Sequence, residues 1–184
     1  MSSSASVPGD AKTRVFLALR LPDDTVERLD AWQRTLRAGA FRLVPRDNLH
    51  VTLAFLGSRP AGDVTAVAGA LRDAAAGAPR PSLRLVRYRE TRSVGMLVLD
   101  DEGGRGAALA ADLRQRLEQL GLYRVESRPW LAHLTVVRFR VPPRLEVTLP
   151  DLGEVSPSDA AVYSSVLRSD GAQYAVLESV ALGG

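Results

Sequence analysis

Asn48-Leu49-His50-Val51-Thr52-Leu53-Ala54-Phe55-Leu56-Gly57 decides the fold, because Trp130-Leu131-Ala132-His133-Leu134-Thr135-Val136-Val137-Arg138-Phe139 repeats its pattern. Both stretches read hydrophobic, His, hydrophobic, Thr, hydrophobic. The chain has only two histidines, and each has a threonine two residues on. With eight threonines in 184 residues, independent placement gives both hits with a probability of roughly 0.002. Val51, Leu53 and Phe55, like Leu134, Val136 and Phe139, are strand formers. In a strand, residues i and i+2 share a face, so His50 and Thr52 point one way and Val51 and Leu53 the other. His133 and Thr135 repeat this. One copy alone is an ordinary strand with a polar outer face. Two copies about half a chain apart point to two similar half-structures facing one site.

Working outward, 184 residues fit one domain or one bilobal domain. A hydrophobic content of 46% supplies a real core, yet no apolar run approaches membrane-spanning length. Residues 1–12 are small and polar, without the apolar centre of a signal peptide, and read as a disordered tail before a domain over 13–184. Cysteine is absent, which removes disulfides and thiolate metal sites and fits a cytoplasmic protein. The net charge is only +3, and Lys12 is the sole lysine. The arginines suit phosphate, and genome composition explains them equally well.

Arg14 to Arg20 is nearly all apolar and reads as a central strand. Pro22 with Asp23 and Asp24 opens a helix carrying Val26, Leu29, Gln33 and Leu36 at helical spacing, with Trp32 at its edge and Gly39 as its stop. A short extended piece follows over Phe41–Val44, then the first motif strand over Leu49–Leu56, closed by Gly57. Val64, Val67, Ala68 and Leu71 predict a second helix, ending near Gly77. Ser82–Glu90 and Met96–Asp100 predict a hairpin. Its first strand carries Arg84, Arg87 and Arg89, flanked by Arg80 and Arg92: a charge-protected edge or a basic rim for a nucleic-acid backbone. Leu109, Leu113, Leu117 and Leu120 predict a third helix between Gly103-Gly104 and Gly121. The second motif strand covers about Leu131–Arg140, and a final hairpin spans Asp159–Leu167 and Gln173–Ser179, turned at Ser169-Asp170-Gly171. This order predicts an α+β fold with antiparallel sheets. No exposed apolar stripe argues for a dimer, so a monomer is expected.

Two His-x-Thr strands suit displacement at phosphorus, where attacking and leaving oxygens lie roughly in line. Imidazoles delivered from opposite sides supply a base to one oxygen and an acid to the other, near the ordinary histidine pKa of ~6.5. Threonine hydroxyls on the same faces can donate to the non-bridging oxygens. Two histidines without clustered carboxylates make a poor zinc set, so no metal and no cofactor is expected. No Gly-x-Ser-x-Gly elbow appears, and Ser164-Ser165 lies in a strand, either structural or as a minor contact in the groove.

His50-Val-Thr-Leu and His133-Leu-Thr-Val resemble the paired signature motifs of the 2H phosphoesterase superfamily. With Arg14-Val-Phe-Leu-Ala-Leu, Val44-Pro-Arg-Asp-Asn-Leu-His50, Arg128-Pro-Trp-Leu-Ala-His133, Val162-Tyr-Ser-Ser-Val-Leu167 and Tyr174-Ala-Val-Leu177, the chain is similar from about residue 13 to 180 to the RNA 2′,3′-cyclic phosphodiesterase branch, also called 2′–5′ RNA ligase-like. The resemblance implies a bilobal fold: two pseudo-symmetric lobes of antiparallel sheet with flanking helices around a central groove. It implies metal-independent opening of RNA 2′,3′-cyclic phosphate ends, tRNA-derived ends among them, to 2′-phosphomonoesters, and reversible 2′–5′ ligation. His50 and His133 are then the catalytic pair. His50 as acid and His133 as base is the preferred order, with the reverse open. Thr52, Thr135 and Arg138 bind phosphate. Strict alternation puts Arg138 on the wrong face, so its role requires a bulge. Phe16 and Phe55 are candidates for stacking a base, with core packing the preferred role for both. The chain departs from the family at Ala132, where proline is usual, at Ala54, where a basic residue is usual, and at Ser93-Val-Gly-Met96, which lacks a frequent Pro-Arg and tryptophan. Rival readings are an RNA-end-binding module without catalysis, and a relative acting on a small cyclic nucleotide or a 2′–5′ linkage.

Overall fold

The computed structural model describes residues 11–36, 39–124, 126–169 and 171–183. Its strands are β1 (Lys12–Arg20), β2 (Phe41–Leu43), β3 (His50–Pro60), β4 (Ser82–Glu90), β5 (Val94–Glu102), β6 (His133–Phe139), β7 (Glu154–Val155), β8 (Asp159–Arg168) and β9 (Gly171–Ala181). Its helices are α1 (Asp23–Gln33), α2 (Val64–Ala75) and α3 (Arg105–Gln119). The strands form one sheet in the order β7-β4-β5-β6-β3-β1-β8-β9, with β2 also paired to β6. Every pairing is antiparallel. The α+β fold expected from the alternating strand and helix patterns is the one observed.

The sheet has two halves, β7-β4-β5-β6 and β3-β1-β8-β9, with the motif strands β3 and β6 meeting at the seam. The seam is thin: one bridge, Val51 to Leu134, joins the two strands. β1 is central as expected, paired to β3 along its length and to β8 over Arg14–Leu19, with Val15, Leu17, Ala18 and Leu19 at 0% exposure. The main core lies on the helix side, where Leu29, Leu53, Leu71, Leu97, Leu113, Leu117 and Leu134 are buried together. Burying a side chain of this size contributes about 1.5–3 kcal/mol.

Several boundaries differ from the sequence expectation, each for a local reason. Helix α1 stops at Gln33, well short of Gly39. The Thr35 hydroxyl donates to the Trp32 carbonyl at 2.7 Å and the Thr35 and Leu36 amides turn back three residues, so side chain and backbone compete with the helical ladder. Trp32 is buried rather than marginal, its Nε1 donating to the Thr148 carbonyl at 2.7 Å. β3 runs through Gly57 to Pro60: at φ +70° this glycine turns the strand without ending it, still paired with Val15. β7, two residues long, has no periodicity to betray it. Residues 1–10 of the expected tail and Asp170 of the expected turn lie outside the described residues, and Lys12 already belongs to β1. Four exposed apolar side chains gather on the edge hairpin β8–β9, namely Val166, Leu167, Val176 and Leu177, which the linear sequence did not flag. No helix among the described residues is long and apolar enough to cross a membrane.

Candidate active site

Each motif strand begins on its histidine. Counting one residue outward from the Val51–Leu134 bridge, antiparallel geometry sets His50 across from Thr135 and Thr52 across from His133. The two pairs therefore interlock at the seam. A second tie crosses it: Trp130, three residues before His133, donates its indole N–H to the Thr52 carbonyl at 2.9 Å. Its ring packs on Gly106 of α3, where an added Cβ would come within 2.8 Å of it.

Both imidazoles are held the same way. His50 Nδ1 lies 2.8 Å from the Asn48 carbonyl, and His133 Nδ1 lies 2.9 Å from the Leu131 carbonyl. A carbonyl only accepts, so Nδ1 carries the proton in both rings and Nε2 is left for chemistry. His50 Nε2 is 3.1 Å from Thr52 Oγ1, which donates to it when the ring is neutral. The Asn48 side chain in turn donates to the Ala172 carbonyl at 2.7 Å, tying the turn before His50 to β9.

The bulge that Arg138 requires is present. Against β5, Gly95 pairs with Val137 and Met96 with Thr135, leaving Val136 as an extra residue in β6. The alternation shifts by one there, so Arg138 joins Thr135 in lining the groove while Val136 and Val137 are buried. β3 has the same device. Leu17 pairs with Ala54 and Ala18 with Thr52, leaving Leu53 extra. Phe55 consequently joins Thr52 and His50 on the groove side.

The groove holds about 990 Å³, at the upper end of the ~300–1,000 Å³ usual for ligand sites. His50, Thr52, Thr135 and Arg138 line it, and His133 stands beside it, partly exposed, outside the lining itself. Phe55 is 52% exposed, with the Arg14 guanidinium 5.4 Å from its ring centroid. Phe16 also lines the groove, but its ring is packed rather than open. It is 4% exposed, covered by His50 with centroids 4.8 Å apart and stacked on Tyr163 at 4.9 Å. Its job is to pack beneath the imidazole, with Tyr174 edge-on to both rings. Burial in this aromatic box pushes the His50 pKa down to about 4; the Asn48 carbonyl opposes this, and the charges of His133 and Arg138 add to it.

Sequence reasoning missed Arg14, Arg42, Arg168 and Tyr174, all of which line the groove. Arg42 is opposite Arg138 in the β2–β6 register, and Arg168 sits at the end of β8. These long-range neighbours have no signature in the chain. The basic strand does not reach the groove: Arg84, Arg87 and Arg89 of β4 lie elsewhere, Arg84 paired with Glu102 at 3.3 Å. Ser165 is a groove wall residue, 8% exposed. Among the described residues, no three His, Asp or Glu side chains are grouped to hold a metal ion.

The sheet thus has two like halves, each giving one His-x-Thr strand to a shared seam. A family model described as LigT-like phosphoesterase matches residues 19–90, which include the first motif. The protein TT0787 of Thermus thermophilus has the same fold at 28% identity, covering 93% of this chain and 98% of its own, with a TM-score of 0.79. A structure described as a phosphoesterase matches at 25% identity over 95% and 100%, TM-score 0.80. E. coli LigT complexed with 3′-AMP matches in fold at 23% identity over 95% and 100%, TM-score 0.79. These matches support the 2H phosphoesterase superfamily, and the chain has the LigT-like fold. Comparison with curated proteins gives no match.

Proposed function

We propose that this phosphoesterase hydrolyses 2′,3′-cyclic phosphates at RNA ends to 2′-phosphomonoesters, by acid–base catalysis from His50 and His133 without a metal ion. The observation that carries the reading is the matched hold on the two rings: Nδ1 of each is fixed on a main-chain carbonyl, leaving two Nε2 atoms on adjoining strands. A water oxygen attacks phosphorus and gives its proton to His133 Nε2. The P–O3′ bond breaks, and O3′ takes the proton of His50 Nε2. Burial holds the His50 proton affinity down, and the negative charge of the docked phosphate offsets both this and the Arg138 charge, raising the affinity of His50 for the proton it must donate. Thr52, Thr135 and Arg138 take the non-bridging oxygens, and Phe55 with Arg14 takes the terminal base. General acid–base help of this kind supplies ~10²–10⁴-fold.

The size of the groove and its four arginines, Arg14, Arg42, Arg138 and Arg168, favour an RNA end over a mononucleotide. E. coli LigT is described in complexes with 3′-AMP and with NADP+, which fits nucleotide binding in this groove. The test is cleavage of a short RNA ending in a 2′,3′-cyclic phosphate, in EDTA. The expected product is the 2′-phosphate, with the rate unchanged by the chelator. An inert protein, or a 3′-phosphate product, sinks the reading.

A further inference from the structure

We propose that Gln33 and Arg114 are positioning residues: each holds the bulge in one motif strand and thereby aims Arg138 or Phe55 into the groove. The proposal rests on the functional reading only for what those two residues grip. The extra residue in β6 is Val136, and its carbonyl accepts from Gln33 Nε2 at 2.7 Å as well as from the Val44 amide at 2.9 Å. Gln33 is 2% exposed and its amide also donates to the Val44 carbonyl at 3.1 Å. β3 has two extra residues against β1, Leu53 and Leu56, and the carbonyl of Leu53, the one between Thr52 and Phe55, accepts from Arg114 Nε at 2.8 Å. A bulge takes its residue out of the ladder, so its carbonyl needs another partner. In both strands a helix side chain donates to this carbonyl, three residues after the histidine, and in β6 it does so beside the Val44 amide.

The connections cross over. α1 follows β1 of one half and supplies Gln33 to β6 of the other. α3 follows β5 of the second half and supplies Arg114 to β3 of the first. Each helix thus fixes the motif strand of the half it did not come from. If the carbonyl is released, the cheapest relaxation is to restore plain alternation. That turns Arg138, or Phe55, away from the groove while His and Thr, before the bulge, keep their face.

The test is equilibrium binding of inorganic phosphate and of 3′-AMP to wild type, Gln33→Leu, Arg114→Met and their combinations with Arg138→Gln and Phe55→Ala. Gln33→Leu should weaken both ligands roughly tenfold, the scale of one charge-assisted contact, and add nothing once Arg138 is gone. Arg114→Met should leave inorganic phosphate untouched, weaken 3′-AMP severalfold, and add nothing once Phe55 is gone. Arg114→Lys keeps a donor and should restore most of the loss. Effects that add in full, or that fall equally on both ligands in both variants, overturn the proposal. Backbone amide shifts of Val137 and Arg138 read the bulge with no ligand present, and unchanged shifts in Gln33→Leu also overturn it. Arg114 is only partly buried, so its series remains readable if Gln33→Leu does not fold. A wild type inert towards cyclic RNA ends refutes the functional reading and leaves these measurements standing.

Discussion

β3 and β6 are two versions of one strand. Their first seven residues alternate between buried and accessible in the same order, through the same irregularity at the fourth and fifth positions. The histidine opens each, its Nδ1 fixed two residues back, and the bulge falls three residues on. They differ at the sixth position, where β3 has Phe55 and β6 has Arg138, and in what surrounds the ring. His50 is boxed by Phe16, Tyr163 and Tyr174, whereas His133 is partly exposed at the groove's edge. In the proposed reaction, the duplicated geometry brings two proton carriers to one phosphorus. The departures from it leave an exposed aromatic ring, Phe55, at one place on the groove and a cation, Arg138, at the other.

The most damaging way to break the pair is to remove one imidazole. His50→Ala and His133→Ala should each lower kcat on a 2′,3′-cyclic phosphate end by ~10²–10⁴-fold. Because the two act on one transition state, the double variant should be little worse than either single one. Losses that multiply would mean that the histidines serve separate steps. Thr52→Val and Thr135→Val keep strand propensity and remove one donor each. A loss of about 10²-fold in kcat is expected for either. Thr52→Val should be the worse of the two, since it also strips His50 Nε2 of its hydroxyl partner.

Much of this comparison could be read in the linear chain, because it depends on local spacing. The His-x-Thr pairs, the shared faces, the central first strand and the antiparallel α+β order all follow from period-two and helical patterning. The need for a bulge before Arg138 could be read too, as a contradiction between residue type and alternation. The second bulge could not, since Phe55 is as acceptable inside as outside. The preferred packing role holds for Phe16, 4% exposed, and not for Phe55, 52% exposed, because a ring in an apolar strand carries no sign of which face it takes. Arg42 and Arg168 enter the groove through strand pairing and a hairpin tip, relations between residues far apart in sequence.

The sixth positions can be tested against one another. Arg138→Gln should weaken inorganic phosphate and cyclic substrate alike, by roughly ten- to a hundred-fold in KM, the worth of hydrogen bonds to a charged group. Phe55→Ala should leave inorganic phosphate unaffected and raise KM for an RNA end by about 5- to 100-fold, the range of one base–aromatic stack. If both variants shift the two ligands equally, the division between a base side and a phosphate side is wrong.

The finest contrast is in proton affinity. Followed by NMR, His50 should titrate near pH 4 in the free protein, and its midpoint should rise in Arg138→Gln, which removes one of the opposing charges. Saturating inorganic phosphate should raise it further. The same depression links to stability. Between pH 4 and 6.5 the unfolded chain binds the proton that folded His50 refuses, so stability should climb with pH across that window and be fully present above it. The climb amounts to at most about 3 kcal/mol, and less to the extent that water reaches the ring. His50→Gln should flatten it. A midpoint near 6.5 in the wild type would mean that the aromatic box does not desolvate the ring, and the asymmetry between the two histidines would then rest on Phe55 and Arg138 alone.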